Sequence, residues 1–148
     1  MFVLIVGSGR VGSAIAKSML AEGHEVSVLD EDPEAIAMLD RGQSEGWEDA
    51  GGRFTVGTAL EIDALLEAGI EHADAFVAST DGDNTNLVIA QIAQRRFKVE
   101  RVVVRVLDPA RARWYAEQEL QTVCPTQTAI ELLEAAVRGQ IRFEGVSG

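Results

Sequence analysis

Near its start the chain carries Gly7-Ser8-Gly9-Arg10-Val11-Gly12, three glycines spaced two and three residues apart directly after an apolar run. Each glycine removes a different obstacle. Gly7 permits a tight turn, Gly9 leaves no Cβ in the way of a bulky anion, and Gly12 lets a following helix lie close on a sheet. The amides at that helix start face an anion along a favourable dipole, which suits a diphosphate. Asp30 stands 18 residues beyond Gly12, at the end of the next apolar run. A carboxylate there accepts hydrogen bonds from both hydroxyls of an adenosine ribose, and charge-assisted bonds contribute about 1.5–3 kcal/mol net. Asp30 with Glu31 beside it repels a 2′-phosphate, so the pattern favours NAD(H) or a plain adenine nucleotide (ATP, ADP or AMP) over NADP. A plain glycine turn beside a surface aspartate is the competing reading; the strand before the turn and the helix after it favour the binding one.

Those residues need a frame. Phe2–Val6 reads as a strand and Arg10–Glu22 as a helix with Val11, Ile15, Met19 and Leu20 on one face. Glu25–Asp30 is a second strand. Asp32-Pro33-Glu34 then starts a helix, with a capping oxygen, a first-turn proline and an acid at the positive end of the dipole. Asp40–Gly52 is a solvated loop rich in glycine and acids, with Trp47 as its packing anchor. Arg53–Val56 is a short strand, and Glu61–Ala68 a helix closed by Gly69. Ala73–Ser79 is a strand and Asp83–Phe97 a helix, while the β-branched run Arg101–Val106 suits a strand covered on both faces. Asp108-Pro109 opens a helix reaching about Gln118, and Thr122–Cys124 is the last strand. Thr126–Arg138 is an amphipathic helix with Ile130, Leu133 and Val137 as its stripe, stopped by Gly139.

Six such units predict an α/β fold: a Rossmann-like, doubly wound, parallel six-stranded sheet with helices on both faces and right-handed crossovers. The expected strand order is 3-2-1-4-5-6, with ligand outside the carboxyl ends where the order reverses. The domain is expected to span 1–138. Residues 139–148 form a C-terminal tail or linker, or the start of something absent, with Ile141, Phe143 and Val146 alternating along it.

Composition limits the function classes. The 148 residues are 47% hydrophobic and 25% charged, with a formal net charge of −11 and a sequence pI near 4.5. Such a field repels phosphate backbones and anionic bilayers, so nucleic acid is not an expected partner. No apolar run approaches the roughly 18 residues of a membrane span, so direct membrane insertion is not expected either. The single cysteine, Cys124, excludes an intrachain disulfide and agrees with a reducing, cytoplasmic compartment. His24 and His72 are too isolated for a zinc site, and no metal is expected. Met1 leads directly into the first strand, which favours a free N-terminus over a domain cut from a channel polypeptide.

Beyond the glycine turn the chain continues with further recognisable pieces. Gly57-Thr58-Ala59 closes the third strand, and Ala68-Gly69-Ile70-Glu71-His72-Ala73-Asp74-Ala75-Phe76-Val77-Ala78-Ser79-Thr80-Asp81 leads through the fourth. Asp83-Asn84-Thr85-Asn86 and Val104-Arg105-Val106-Leu107-Asp108-Pro109 follow. Together these resemble the nucleotide-binding N-terminal (RCK or KTN) domain of TrkA-type regulatory proteins of bacterial potassium uptake, over about Phe2 to Val137. The resemblance implies that the glycine loop holds a diphosphate and Asp30 the adenosine ribose. It implies that Gly57-Thr58-Ala59 borders adenine, and that Thr80, Asp81 and Arg105 lie beside the ligand. Arg10 corresponds to an arginine that can reach a neighbouring subunit's phosphate; a surface salt bridge is the other reading of it. Two positions depart from the family pattern. Thr58 stands where many members have Asp, and Thr126 where many have a metal-binding Glu. Most complete members also continue into a C-terminal ligand domain.

The resemblance therefore implies a regulatory module that forms a homodimer or higher homo-oligomer, partly through its last helix. It is expected to act from the inner face of the membrane on a potassium-translocating membrane protein. Arg95, Arg96, Lys98, Arg101, Arg111 and Arg113 form the basic-rich region, either a solvated rim or an interface, and Trp114 with Tyr115 would suit the latter. Cys124 reads as a small buried apolar residue. The alternative function is a small NAD-dependent oxidoreductase or its cofactor-binding half, which needs a substrate pocket and a proton donor beside the nicotinamide.

Overall fold

The computed structural model describes residues 1–141. Five residues of alternating orientation build the central strand, β1 (Phe2–Val6): Leu4 and Val6 face one side of the sheet, Val3 and Ile5 the other, and all four are buried. Around it lie β2 (Glu25–Asp30), β3 (Arg53–Val56), β4 (Ala75–Ala78), β5 (Arg101–Arg105) and β6 (Gln121–Val123). All pairings are parallel and the order is β3-β2-β1-β4-β5-β6, the expected doubly wound sheet.

Helices cover both faces. On one, α1 (Arg10–Ala21) and α2 (Ile36–Asp40) close over Val3, Ile5, Val26 and Val28. On the other, α3 (Ile62–Glu67), α4 (Asp83–Gln91) and α5 (Pro109–Glu117) pack on Leu4, Phe76, Val102 and Val104. Trp47 plugs the first layer as anticipated: it is buried, its indole N–H donates to the Arg53 carbonyl at 2.9 Å, and its ring lies where a Cβ on Gly52 would be. By area such an aromatic plug contributes at most about 4–6 kcal/mol.

The structure redraws several expected details. β4 is shorter than Ala73–Ser79 because Ala73 and Asp74 lie in the turn before it, and Ser79 lies beyond its end. The helix expected over Asp83–Phe97 is α-helical only to Gln91 and widens to a π-turn over Ile92–Arg96, after which Lys98 takes φ +52°. Tyr115 points inward, with its hydroxyl donating to the Asp83 carbonyl at 3.1 Å, so only Trp114 of that pair is on the surface. Cys124 is buried but polar in use: its sulfur caps the last helix, α6 (Pro125–Val137), by accepting from the Gln127 amide.

α6 is the conspicuous exception to the layering. It buries none of its residues, and its stripe is uncovered, with Leu133 66% and Val137 88% exposed. Of the expected tail, residues 142–148 lie outside the described residues.

Candidate nucleotide-binding site

The sheet reverses order between β1 and its neighbours β2 and β4, and a cleft of about 860 Å³ opens there at the strands' carboxyl ends. The glycine turn forms its floor. Gly7 has φ +96°, and a Cβ on it would come 2.7 Å from the Ser79 carbonyl oxygen, so conformation and space both demand glycine. Gly12 is enforced from behind, since a Cβ there would sit 1.8 Å from the Gly7 carbonyl oxygen. Gly9 differs. Its φ of −69° suits any residue and nothing lies within 4 Å of where a Cβ would be, yet it lines the cleft. Neither backbone nor packing requires glycine there, and what its small size preserves is open space at the amino end of α1. Among the described residues no side chain caps that end. Its amides are free for an anion.

Asp30 organises the turn. Its Oδ2 accepts from the Ser8 amide at 2.8 Å and from the Ser8 hydroxyl at 3.1 Å, and its Oδ1 accepts from the Asp32 amide at 2.9 Å. A carboxylate offers about four acceptor positions. While these three bonds persist, room remains for about one ribose hydroxyl rather than the two anticipated.

The opposite wall is built from the ends of β4 and β5. The Arg105 guanidinium donates to the carbonyls of Ser79 at 3.0 Å and Thr80 at 2.8 Å and lies 3.5 Å from the Asp81 carboxylate. Asp81 is fully solvated, so that pair contributes little. The Arg105 Nε–H is buried without a partner among the described residues.

Of the residues expected at the site, Gly7, Ser8, Gly9, Arg10, Asp30, Glu31, Thr58, Ala59, Thr80, Asp81 and Arg105 line this one cleft. Val11 and Gly12 do not: Gly12 acts beneath the turn and Val11 lies exposed on α1. Arg10 forms no ion pair among the described residues, so its salt-bridge reading has no acid behind it.

The pattern of the TrkA-N domain matches residues 3–126. This chain belongs to the TrkA-N domain family.

Among relatives, this TrkA-N domain is 42% identical over 134 residues to the Trk system potassium uptake protein TrkA of Streptomyces coelicolor, covering 90% of this chain. It spans 57% of that relative's length. Among solved structures, the carboxy-terminal domain of Kef from Shewanella denitrificans in its AMP-bound form superposes with a TM-score of 0.73 at 24% identity, covering 95% of this chain and 83% of that one. The GsuK channel bound to NAD superposes with a TM-score of 0.76 at 17% identity, covering 94% of this chain and 23% of that one. These likenesses establish the shared fold.

Sequence reasoning gave no role to Asn86, which the TrkA-N domain buries completely beneath the Thr80 wall. The signal was present. Asn86, Ile89, Ala90 and Ala93 recur at helical spacing and are all buried, so an amide on that stripe had to be satisfied internally. Arg41, Met38 and Leu60 also line the cleft but come from loops and short helices with no motif to mark them.

Proposed function

We infer that this TrkA-N domain grips NAD(H) or an adenine nucleotide (ATP, ADP or AMP) as a signal and conveys it to a potassium-translocating membrane protein. Gly9 is the observation that carries this: a glycine required by neither conformation nor packing, lining a cleft at an uncapped helix start. The Gly9 and Arg10 amides, both in the cleft wall, and the Arg10 side chain would hold the diphosphate, since the guanidinium fork matches phosphate oxygens. Asp30 would hold the ribose, Gly57, Thr58 and Ala59 would border adenine, and Thr80, Asp81 and Arg105 would face the remaining end. The ligand supplies no chemistry in this reading; it is bound unchanged.

The similarity to a potassium uptake protein over nine-tenths of the chain supports the transport role. Among the described residues no helix is long and apolar enough to cross a membrane. The likeness to TrkA supports reading the contact with a transporter as peripheral, from the cytoplasmic side. The uncovered stripe of α6 supports pairing with a second copy. Regulation then follows from population shift. A nucleotide that binds two arrangements of the assembly with a difference of about 1–3 kcal/mol shifts the equilibrium between them roughly 5- to 150-fold.

A thermal-shift series with NAD, NADH, NADPH, ATP, ADP and AMP tests the reading. A ligand at about 100 times its Kd adds about 2.7 kcal/mol of stability. Stabilisation by none of them would remove the nucleotide assignment, and a preference for NADPH would overturn the role given to Asp30 and Glu31. Consumption of NADH with a small carbonyl substrate would favour the oxidoreductase instead.

A further inference from the structure

We propose that the first turn of α4 couples the Thr80–Arg105 wall of the cleft to the cap of α6, so that a change at the wall alters how α6 is seated. Asn86 is wholly buried and uses its entire amide. Its Oδ1 accepts from the Thr80 amide at 2.9 Å and the Thr80 hydroxyl at 2.6 Å, while its Nδ2 donates to the carbonyls of Thr80 at 3.0 Å and Arg105 at 2.9 Å. An amide so engaged cannot turn without leaving buried groups unpaired, so the ends of β4 and β5 move with α4 or not at all.

One turn earlier on the same helix, Asp83 grips the next loop. Its carboxylate accepts from the Leu107 amide at 2.8 Å and the Asp108 amide at 3.1 Å. Leu107 in turn offers its carbonyl to the Cys124 thiol at 3.7 Å, and the Cys124 sulfur accepts from the Gln127 amide at 3.4 Å, capping α6. Every link is a direct hydrogen bond or a short stretch of backbone. Because α6 buries none of its residues, these contacts at its first turn have little competition in fixing it. Asp83, Asn86 and Cys124 are thus positioning residues. The regulatory use of the link rests on the nucleotide reading; the link itself does not.

Hydrogen exchange of the Gln127 and Thr128 amides in nucleotide-free protein reads the coupling. Thr80→Val deletes the hydroxyl that donates to Asn86 and accepts from the Gly82 amide at 3.3 Å just before α4, and should speed exchange at both amides by about threefold or more. In an Asp83→Asn background the same change should alter exchange by less than about 1.5-fold. Cys124→Ala should likewise abolish the response, and Cys124→Ser, which keeps a capping atom, should restore it. Unchanged protection of Ile5 in β1 reports an intact fold in each variant. Equal responses in the native and Asp83→Asn backgrounds, or no response to Thr80→Val in the otherwise native chain, would overturn the coupling. A second arm adds ADP to the native chain. Binding that leaves Gln127 unaltered overturns the regulatory use, whereas absence of binding overturns the assignment of the cleft and leaves the nucleotide-free result standing.

Discussion

Asp30 is tied to Ser8 twice, through the Ser8 amide at 2.8 Å and the Ser8 hydroxyl at 3.1 Å. One carboxylate therefore both shapes the glycine turn and faces the place where a ribose would lie. Binding energy for the sugar and preorganisation for the diphosphate share a single side chain, and the two cannot be removed separately by truncating it.

Asp30→Ala should weaken NAD or ADP by about 10- to 150-fold, the loss of about 1.5–3 kcal/mol of charge-assisted bonding, measured by calorimetry. Asp30→Asn keeps an acceptor for Ser8 and should fall between the two. An Ala variant with affinity within about twofold of the native chain would contradict the clamp.

The three glycines should separate into two kinds. Gly12→Ala forces a Cβ to 1.8 Å from a backbone oxygen and should cost about 3 kcal/mol or more, lowering Tm by roughly 10 °C. Gly9→Ala meets nothing within 4 Å and should leave Tm within about 2 °C while abolishing most of the nucleotide-induced shift. If Gly9→Ala retained the full shift, the open space beside it would have no bearing on binding.

Tyr115 should give stability an alkaline limit. Burial chiefly, with the Asp83 carboxylate adding and Arg111 opposing, holds its hydroxyl above the ordinary value of 10.0. The unfolded chain then releases the proton first, so the stabilisation is complete below about pH 10 and is lost as pH climbs from there toward the folded value. Tyr115→Phe should cost about 0.5–1.5 kcal/mol at neutral pH through the lost bond to the Asp83 carbonyl, and should flatten the alkaline fall in urea midpoint. An identical alkaline slope in the Phe variant would assign it to another group.

The stripe on α6 should matter to assembly and not to the monomer. Leu133→Asp and Val137→Asp touch well-exposed positions, so urea midpoints measured on the monomer should change by less than about 0.5 kcal/mol equivalent. Light scattering should show the mass shifting toward a monomer. A native chain that is already monomeric at high concentration would remove the second copy from this face.

What the amino-acid order settled alone was whatever depends on neighbours close along the chain. The apolar run Phe2–Val6, the Asp32-Pro33 and Asp108-Pro109 helix starts and the glycine at the end of α3 are short-range signals, and each appears where expected. The glycine spacing likewise located the cleft, because a turn between a strand and a helix is a local object. Tertiary structure decided the rest, through partners far apart in sequence. Ser8 and Asp30 are 22 residues apart and Asn86 and Arg105 are 19 apart, so no periodicity could reveal that one carboxylate holds the turn or that one amide joins two strand ends. Tyr115 and Trp114 are adjacent and both aromatic, and only the position of α4 beneath them determined which turned inward. The same holds for α6. Its amphipathic pattern announces a face to be buried, but burial belongs to a pair of surfaces, and among the described residues nothing closes over that face.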